Sequence, residues 1–402
     1  MQYLRTLKGA CNGIVTDFRP LYMVKSTYKE LRGNWNLDDL FEFYMPTRIV
    51  SGTNCLNEKS RYLKNLGKKA LIVTGEQSSK LNGSLDDAIE ALEKENIGYK
   101  IFDKVDDNPT IDLIQNVFDE NEREPIDFVL GIGKGAPIDA AKAIGVLFRN
   151  RGITAVEAFN MKNLKSIPIA AVPTSAGSGS ETTPFSIISD PILRTKKDLG
   201  QESFPKVAYL DSRYVLNTSF DEMMVNGFDA FSHLVEGYLN KSSSLLSDTL
   251  AERGFMIFGG LMNSFSKKEL SQSDRENLLI ASSLGGMVIA QTGTNLPHAL
   301  GYILTYEKGM PHGYATAAIY KGYLEIYEDS QKLKKMLAIL GFPNTRALTD
   351  FIDQTVPYKL KLSEAEISQF TNRMLINQGK LKNRPDKASK DQISAMYRRA
   401  IR

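Results

Sequence analysis

The sequence predicts two architectures in series. An α/β half on a parallel, Rossmann-like sheet spans residues 1–212, and an all-α half spans residues 213–402. Three observations carry that expectation. In the first half, short apolar runs alternate with stretches of helical period, which is the pattern of a parallel sheet covered on both faces. After about Ser212 that alternation stops and long helical stretches run to the end. Finally, 402 residues suffice for two cores at roughly 100–200 residues per domain.

The elements follow in order. KKALIVTG (68–75) reads as a strand, and GSLDDAIEALEKEN (83–96) as a helix with Leu85, Ile89 and Leu92 at helical intervals and Ser84 as its N-cap. IGYKIFD (97–103) is the next strand. PTIDLIQNVFDENER (109–123) is a helix with proline in its first turn and Ile111, Ile114 and Phe118 along one side. The strand IDFVLGIG (126–133) leads into a helix through PIDAAKAIGVLF (137–148), and IPIAAVPT (167–174) and KVAYLD (206–211) are later strands. Beyond them, SFDEMMVNGFDAFSHLVEGYL, SDTLAERGFMIFGGLMNSF and RENLLIASSLGGMVIAQTG are helical in period. Ligands of such a sheet bind outside the carboxyl ends of its strands, so the cleft is expected between the halves.

Composition removes several classes of function. Fifty basic against 47 acidic residues give a net charge of +3, too small to argue for nucleic acid or an anionic membrane. No stretch reaches the roughly 18 apolar residues of a membrane span, and the N-terminus lacks the apolar core of a signal peptide. Cys11 and Cys55 have no paired spacing, so no disulfide framework is expected and a cytoplasmic setting is. The basic end LKNRPDKASKDQISAMYRRAIR reads as a solvated loop and a final helix.

Histidine is scarce: the chain has three, His233, His298 and His312. In GFDAFSHLVEGYL, Asp229 and His233 stand four apart, one helical turn, on one face. Taken alone, that pair is read more simply as a polar helix face than as a metal site. With His298 and His312, which have thirteen residues between them in PHALGYILTYEKGMPHG, one carboxylate and every imidazole become available to one cation. Such donors suit Fe(II) or Zn(II) better than Mg(II) or Ca(II), and four of them with room for a substrate oxygen would make a Lewis-acid site.

Three loops follow strands. VLGIGKGAPIDAAK (129–142) leaves a strand through alternate glycines and enters a helix, which offers backbone N–H groups and a positive helix end to phosphate. It is neither a GK[ST] loop nor a clean G-x-G-x-x-G. VPTSAGSGSETTPF (172–185) is dense in hydroxyls and glycine, and VTGEQSSKLNGS (73–84) lies where an adenosine ribose would.

On these motifs the sequence resembles the iron-containing, or group III, alcohol dehydrogenases, in the butanol and propanediol dehydrogenase branch. FYMPTRIVSG (43–52), DNPTI (107–111), GIGKGAPIDAAK, PTSAGSGSE (173–181), GFDAFSHLVEGYL and HALGYILTYEKGMPHG are each similar to a family motif, so the resemblance spans nearly the whole chain. It implies hydride transfer between a small primary alcohol, or its aldehyde, and a nicotinamide dinucleotide. The metal ligands it implies are Asp229, His233, His298 and His312, holding Fe(II), with Zn(II) as the other option. The cofactor contacts it implies are Asn108, Gly133, Lys134, Gly135, Asp139, Thr174, Ser175, Ser178 and Lys197. Phe185 and Tyr302 are expected at the pocket wall, Phe185 also against the cofactor.

The chain departs from the family pattern where Lys134 replaces a glycine, where Ala136 replaces a serine, and at Tyr302, which stands where some members carry histidine. Lys134 either adds charge beside a pyrophosphate or crowds it. A phenol does not shuttle protons near neutral pH as imidazole does. Gly75 and Ser78 match members that accept a 2′-phosphate and Lys80 adds positive charge, while Glu76 opposes it, so NADP(H) is favoured over NAD(H). A homo-oligomer, dimer or larger, is expected. Competing readings are a glycerol or polyol-phosphate dehydrogenase of the same superfamily and a nucleotide-binding regulator without catalysis.

Overall fold

A computed structural model of the chain describes residues 40–190, 195–376 and 388–401. The N-terminal stretch with Cys11, and the basic loop ahead of the last helix, lie outside the described residues.

The strands are β1 (Arg48–Ser51), β2 (Lys69–Thr74), β3 (Gly98–Phe102), β4 (Phe128–Gly133), β5 (Ile169–Pro173), β6 (Ile187–Asp190), β7 (Thr195–Asp198) and β8 (Val207–Leu210). Six of them form one sheet in the order β1-β8-β5-β4-β2-β3, with every pair parallel. Between the strands run α1 (Ser84–Lys94), α2 (Ile111–Asn121) and α3 (Gly135–Arg149). The sheet is buried on both faces because its strands are apolar at odd and even positions alike. Leu71, Val73 and Val129 pack with Ile114, Phe118, Ile144 and Leu147 on one side. Ala70, Ile72, Phe128 and Leu130 pack with Leu85, Ala88 and Leu92 on the other. At about 1.5–3 kcal/mol for each large apolar side chain withdrawn from water, these two layers supply most of the drive for this half.

Since all six strands run the same way, the loops that follow β2, β3, β4 and β5 emerge along one edge of the sheet. Beyond β8 the chain is helical: α4 (Phe220–Tyr238), α5 (Leu245–Lys267), α6 (Gln272–Thr292), α7 (Leu296–Lys308), α8 (His312–Glu325), α9 (Gln331–Leu340), α10 (Thr345–Thr355), α11 (Glu364–Ile376) and α12 (Lys390–Ala400). Helix α4 lies in their core, with Phe231 edge-on to Phe258 at 5.3 Å and to Tyr320 at 6.0 Å.

Local differences from the sequence reading have local causes. Ser84 does not cap α1; Gly83 holds the N-cap position at φ 82° and Ser84 is the first helical residue. A left-handed entry suits glycine and no serine cap forms. Thr110 caps α2 by accepting from Leu113 N at 3.2 Å, which leaves Pro109 just outside the helix. Helix α3 begins at Gly135, with Pro137 inside its first turn. The antiparallel pair β6–β7 was not anticipated, since neither short strand alternates apolar and polar residues.

Candidate active site

Helix α4 presents Asp229, His233 and Glu236 at intervals of four and three, so all three side chains stack along one face. Ser219 starts the helix by accepting from Glu222 N at 3.3 Å. His298 lies in the first turn of α7, where Asn295 is the N-cap and Pro297 the preceding residue. His312 opens α8. That helix end can press onto α4 because its second residue is Gly313: a Cβ there would lie 1.9 Å from Val225 O and 3.0 Å from Asp229 N. A side chain at 313 would push His312 away from Asp229.

The four donors converge. Asp229 Oδ1 is 3.3 Å from His298 Nε2, 3.5 Å from His312 Nε2 and 3.9 Å from His233 Nε2. The candidate ligand atoms of Asp229, His298 and His312 all lie within 4.8 Å of one another. Ligands bonded at about 2.0–2.2 Å to one centre stand about 3–3.5 Å apart, so His298 and His312 already stand at that spacing from Asp229 Oδ1, while His233 stands farther out. Asp229 Oδ1 and His298 Nε2 are buried with no hydrogen-bond partner. Buried polar atoms without partners are rare and call for an explanation, and a cation among four such donors supplies one.

Charge points the same way. Burial opposes ionisation of Asp229, yet the three histidines outweigh it and hold the carboxyl well below its usual range. Burial pulls His233 down to about 4 and His312 down to about 3. Burial acts on His298 as well, but Glu236 and Asp229 overcome it and carry this imidazole up to about 9. At neutral pH His233 and His312 are therefore neutral, while His298 carries a positive charge beside the Asp229 and Glu236 carboxylates.

Glu236 belongs to the same motif, three residues past His233, where spacing alone assigns it no role. It is sealed from solvent, with Oε1 2.6 Å from His298 Nδ1 and Oε2 accepting from Asn295 N at 2.6 Å and His298 N at 3.3 Å. It orients the ring and accepts from buried N–H groups at the α7 terminus together. Tyr302, one turn along α7, stacks on His312 with centroids 4.6 Å apart and planes 8° apart.

The cofactor candidates fall along the carboxyl edge of the sheet. Gly75 follows β2 and Ser78 opens a short helix, Ser78–Leu81. Lys80 Nζ is 2.5 Å from Asp103 Oδ2. Asn108 is exposed after β3, and its N–H donates to Asp106 Oδ1 at 3.0 Å. Gly133 ends β4, Lys134 is the N-cap of α3, and Gly135 is that helix's first residue. Thr174 N donates to Gly133 O at 2.9 Å, which ties the second loop to the first. Ser178 sits against Gly135, where a Cβ would come within 2.9 Å of the serine side chain. Thr174 and Ser175 are buried beside them, and Phe185 is partly exposed at the loop's far end. Lys134 pairs with Glu222 in the first turn of α4, which links this edge to the helix carrying Asp229.

Two candidates lie elsewhere. Asp139 points inward: its carboxylate accepts from Ser180 Oγ at 2.5 Å and Ile187 N at 3.1 Å. Lys197 Nζ lies 3.3 Å from Asn160 Oδ1 and 5.7 Å from the Phe159 ring centroid. Neighbours on a strand face opposite ways, and Lys196 is the residue acted on by the carboxylates of Asp139, Asp229 and Asp107.

Comparison with known proteins adds three findings. The family model for iron-containing alcohol dehydrogenase matches residues 46–212, and the C-terminal model of the Fe-containing alcohol dehydrogenase family matches residues 223–401. The chain is 30% identical to sulfoacetaldehyde reductase of Bilophila wadsworthia over 278 residues, 68% of this chain and 72% of that protein. It is 26% identical to lactaldehyde reductase of Escherichia coli K12, over 68% of this chain and 72% of that one. Among solved structures, an iron-containing alcohol dehydrogenase of Thermotoga maritima superposes with a TM-score of 0.83 at 36% identity, covering 90% of this chain and 99% of its own. Another iron-containing alcohol dehydrogenase gives 0.84 at 37% identity, with the same coverage. No described helix is long and apolar enough to cross a membrane.

Proposed function

The chain belongs to the iron-containing alcohol dehydrogenase family, and on that premise we propose how its residues divide the work. It is an alcohol dehydrogenase that moves hydride between a small primary alcohol, or its aldehyde, and a nicotinamide dinucleotide. The observation that carries the detailed reading is the convergence of Asp229, His233, His298 and His312, with Asp229 Oδ1 and His298 Nε2 lacking any hydrogen bond. These four hold one divalent iron, preferred over zinc in this reading.

When bound, the cation supplies Lewis acidity toward a substrate oxygen and the dinucleotide supplies the hydride acceptor or donor. The chain does the rest. Asp229 balances part of the cation's charge, and Glu236 keeps His298 turned so that Nε2 faces Asp229. The turn 133–135 and the loop 174–178 orient the dinucleotide through backbone N–H groups and hydroxyls, with Asn108 and Phe185 at the margins. Tyr302 walls the pocket. Burial pushes its phenol well above the ordinary range, so it stays protonated and does not take the proton released by an alcohol.

Residues 1–212 act as the dinucleotide-binding domain and residues 213–402 as the metal- and substrate-binding domain. NADP(H) is the preferred cofactor, because Gly75 follows β2 where a carboxylate would repel a 2′-phosphate. Lys80 contributes less to that preference than its sequence position suggests, since Asp103 already engages it. The enzyme works as a homo-oligomer in the cytoplasm.

The test is to supply short-chain alcohols with NADP or NAD and follow the reduced-nicotinamide absorbance before and after chelation. Activity is expected to vanish with the metal and return when Fe(II) is restored. His298→Ala is expected to abolish turnover and leave dinucleotide binding within twofold; undiminished turnover in either experiment would sink the reading.

A further inference from the structure

Lys142, on the buried face of α3, has no exposed surface. Its Nζ donates to Phe185 O at 2.6 Å and Ser180 Oγ at 2.8 Å, and reaches Thr183 Oγ1 and Asp139 Oδ1 at 3.4 Å. Asp139, three residues earlier, accepts from Ser180 Oγ and Ile187 N, and its backbone oxygen accepts from Ser186 Oγ at 2.7 Å. One cation and one carboxylate thus fasten the buried face of a helix to the segment 180–187.

Filling that volume does not require a lysine. A buried ammonium must be desolvated, and an apolar residue of similar size is often as stable or more so. What the charged pair provides is geometry. The segment 174–186 contains only one short 3-10 turn, Ser180–Thr182, so few ladder or helix bonds fix its course. At its start, Thr174 N bonds Gly133 O and Ser178 rests on Gly135. At its far end, where Phe185 sits, the link to α3 is the Lys142–Asp139 cluster.

We propose that Lys142 is a positioning residue for the dinucleotide: through Ser180, Thr183 and the Phe185 carbonyl it fixes the second loop at one distance from the first, so that the two form a single preset cradle. This rests on reading the loops as the cofactor site. Lys142 touches neither cofactor nor metal; it acts through the loop.

The experiment titrates the metal-loaded full chain with NADPH and NADH by nicotinamide fluorescence, with bound metal and melting temperature measured alongside. Failure of the unaltered chain to bind either dinucleotide would remove the cofactor reading itself. Given binding, the paired variant Asp139→Asn, Lys142→Met removes both charges at similar volume and is expected to weaken Kd at least tenfold with metal content unchanged. Ser180→Ala, a single-atom deletion at the centre of the cluster, is expected to weaken it threefold or more. At saturating dinucleotide the alcohol KM should stay within twofold while kcat falls. Kd within twofold of the unaltered chain in both variants, or metal lost in parallel with affinity, would overturn the proposal. Should the paired variant fail to fold, Ser180→Ala alone decides by the same threshold.

Discussion

Oε1 of Glu236 lies 2.6 Å from Nδ1 of His298, and both side chains are sealed from solvent. The same carboxylate accepts from Asn295 N, so it is held from two sides and cannot rotate away. It fixes the proton of His298 on Nδ1 and leaves Nε2 for a cation. Partners of this kind behind a ligating histidine are worth about 10–100-fold in metal affinity. Glu236→Gln is therefore expected to weaken Fe(II) or Zn(II) binding by that range in competition with a chelator, with dinucleotide Kd unchanged within twofold. Unchanged metal affinity would contradict the role.

Tyr302 stacks on His312 and stands edge-on to His298 at 6.2 Å. If its ring, rather than its hydroxyl, does the work, Tyr302→Phe should keep kcat within about threefold at neutral pH. Tyr302→Ala should release His312 and raise the rate of metal loss roughly tenfold, since an aromatic pair contributes about 0.5–1.5 kcal/mol beyond its burial. A kcat collapse in Tyr302→Phe would show that the hydroxyl takes part after all.

Lys134 replaces a family glycine at the N-cap of α3, where the helix dipole disfavours a cation, and Glu222 compensates from α4. Both side chains are more than a third exposed, so the pair is worth at most about 1 kcal/mol. Glu222→Gln is expected to tighten dinucleotide binding by up to about fivefold at low salt, an effect that disappears near molar salt as screening sets in. Weaker binding at low salt would mean that the pair supports the site rather than competing for Lys134.

Cys55 is buried, with Sγ 3.5 Å from Val50 O, and burial pushes its thiol from 9.0 up to about 12. The acid form is favoured by folding. Its contribution to stability is fully present below pH 9 and is lost as pH rises from about 9 toward 12. Alkylation of the Cys55 peptide, followed by mass spectrometry, should stay slow through pH 9 and become fast only on unfolding. Rapid native labelling at pH 8 would contradict this.

Legibility in the sequence differed by residue. Three histidines in the whole chain, one of them a helical turn from Asp229, drew attention to the four donors that the structure brings together. Five strands of the six-stranded sheet were legible as apolar runs beside glycine or proline, whereas β1 was not read as a strand from its own residues. Glu236 was harder: it is three residues past His233 on the same helix face, but its partner Asn295 is 59 positions away, and sequence period carries no information about such a contact. The choice between Lys196 and Lys197 turns on a one-residue register in a strand pair that sequence period did not reveal. Asp139 stood in the glycine-rich turn read as a phosphate cradle, yet its direction depends on Lys142, whose burial the spacing alone does not disclose.

The central claim is that Asp229, His233, His298 and His312 share one cation. Crystals of the chain grown with Fe(II) and measured at the iron absorption edge test it directly. One anomalous peak is predicted per chain, within about 2.5 Å of all four donor atoms. A peak elsewhere, or none at full iron occupancy in solution, would contradict the account.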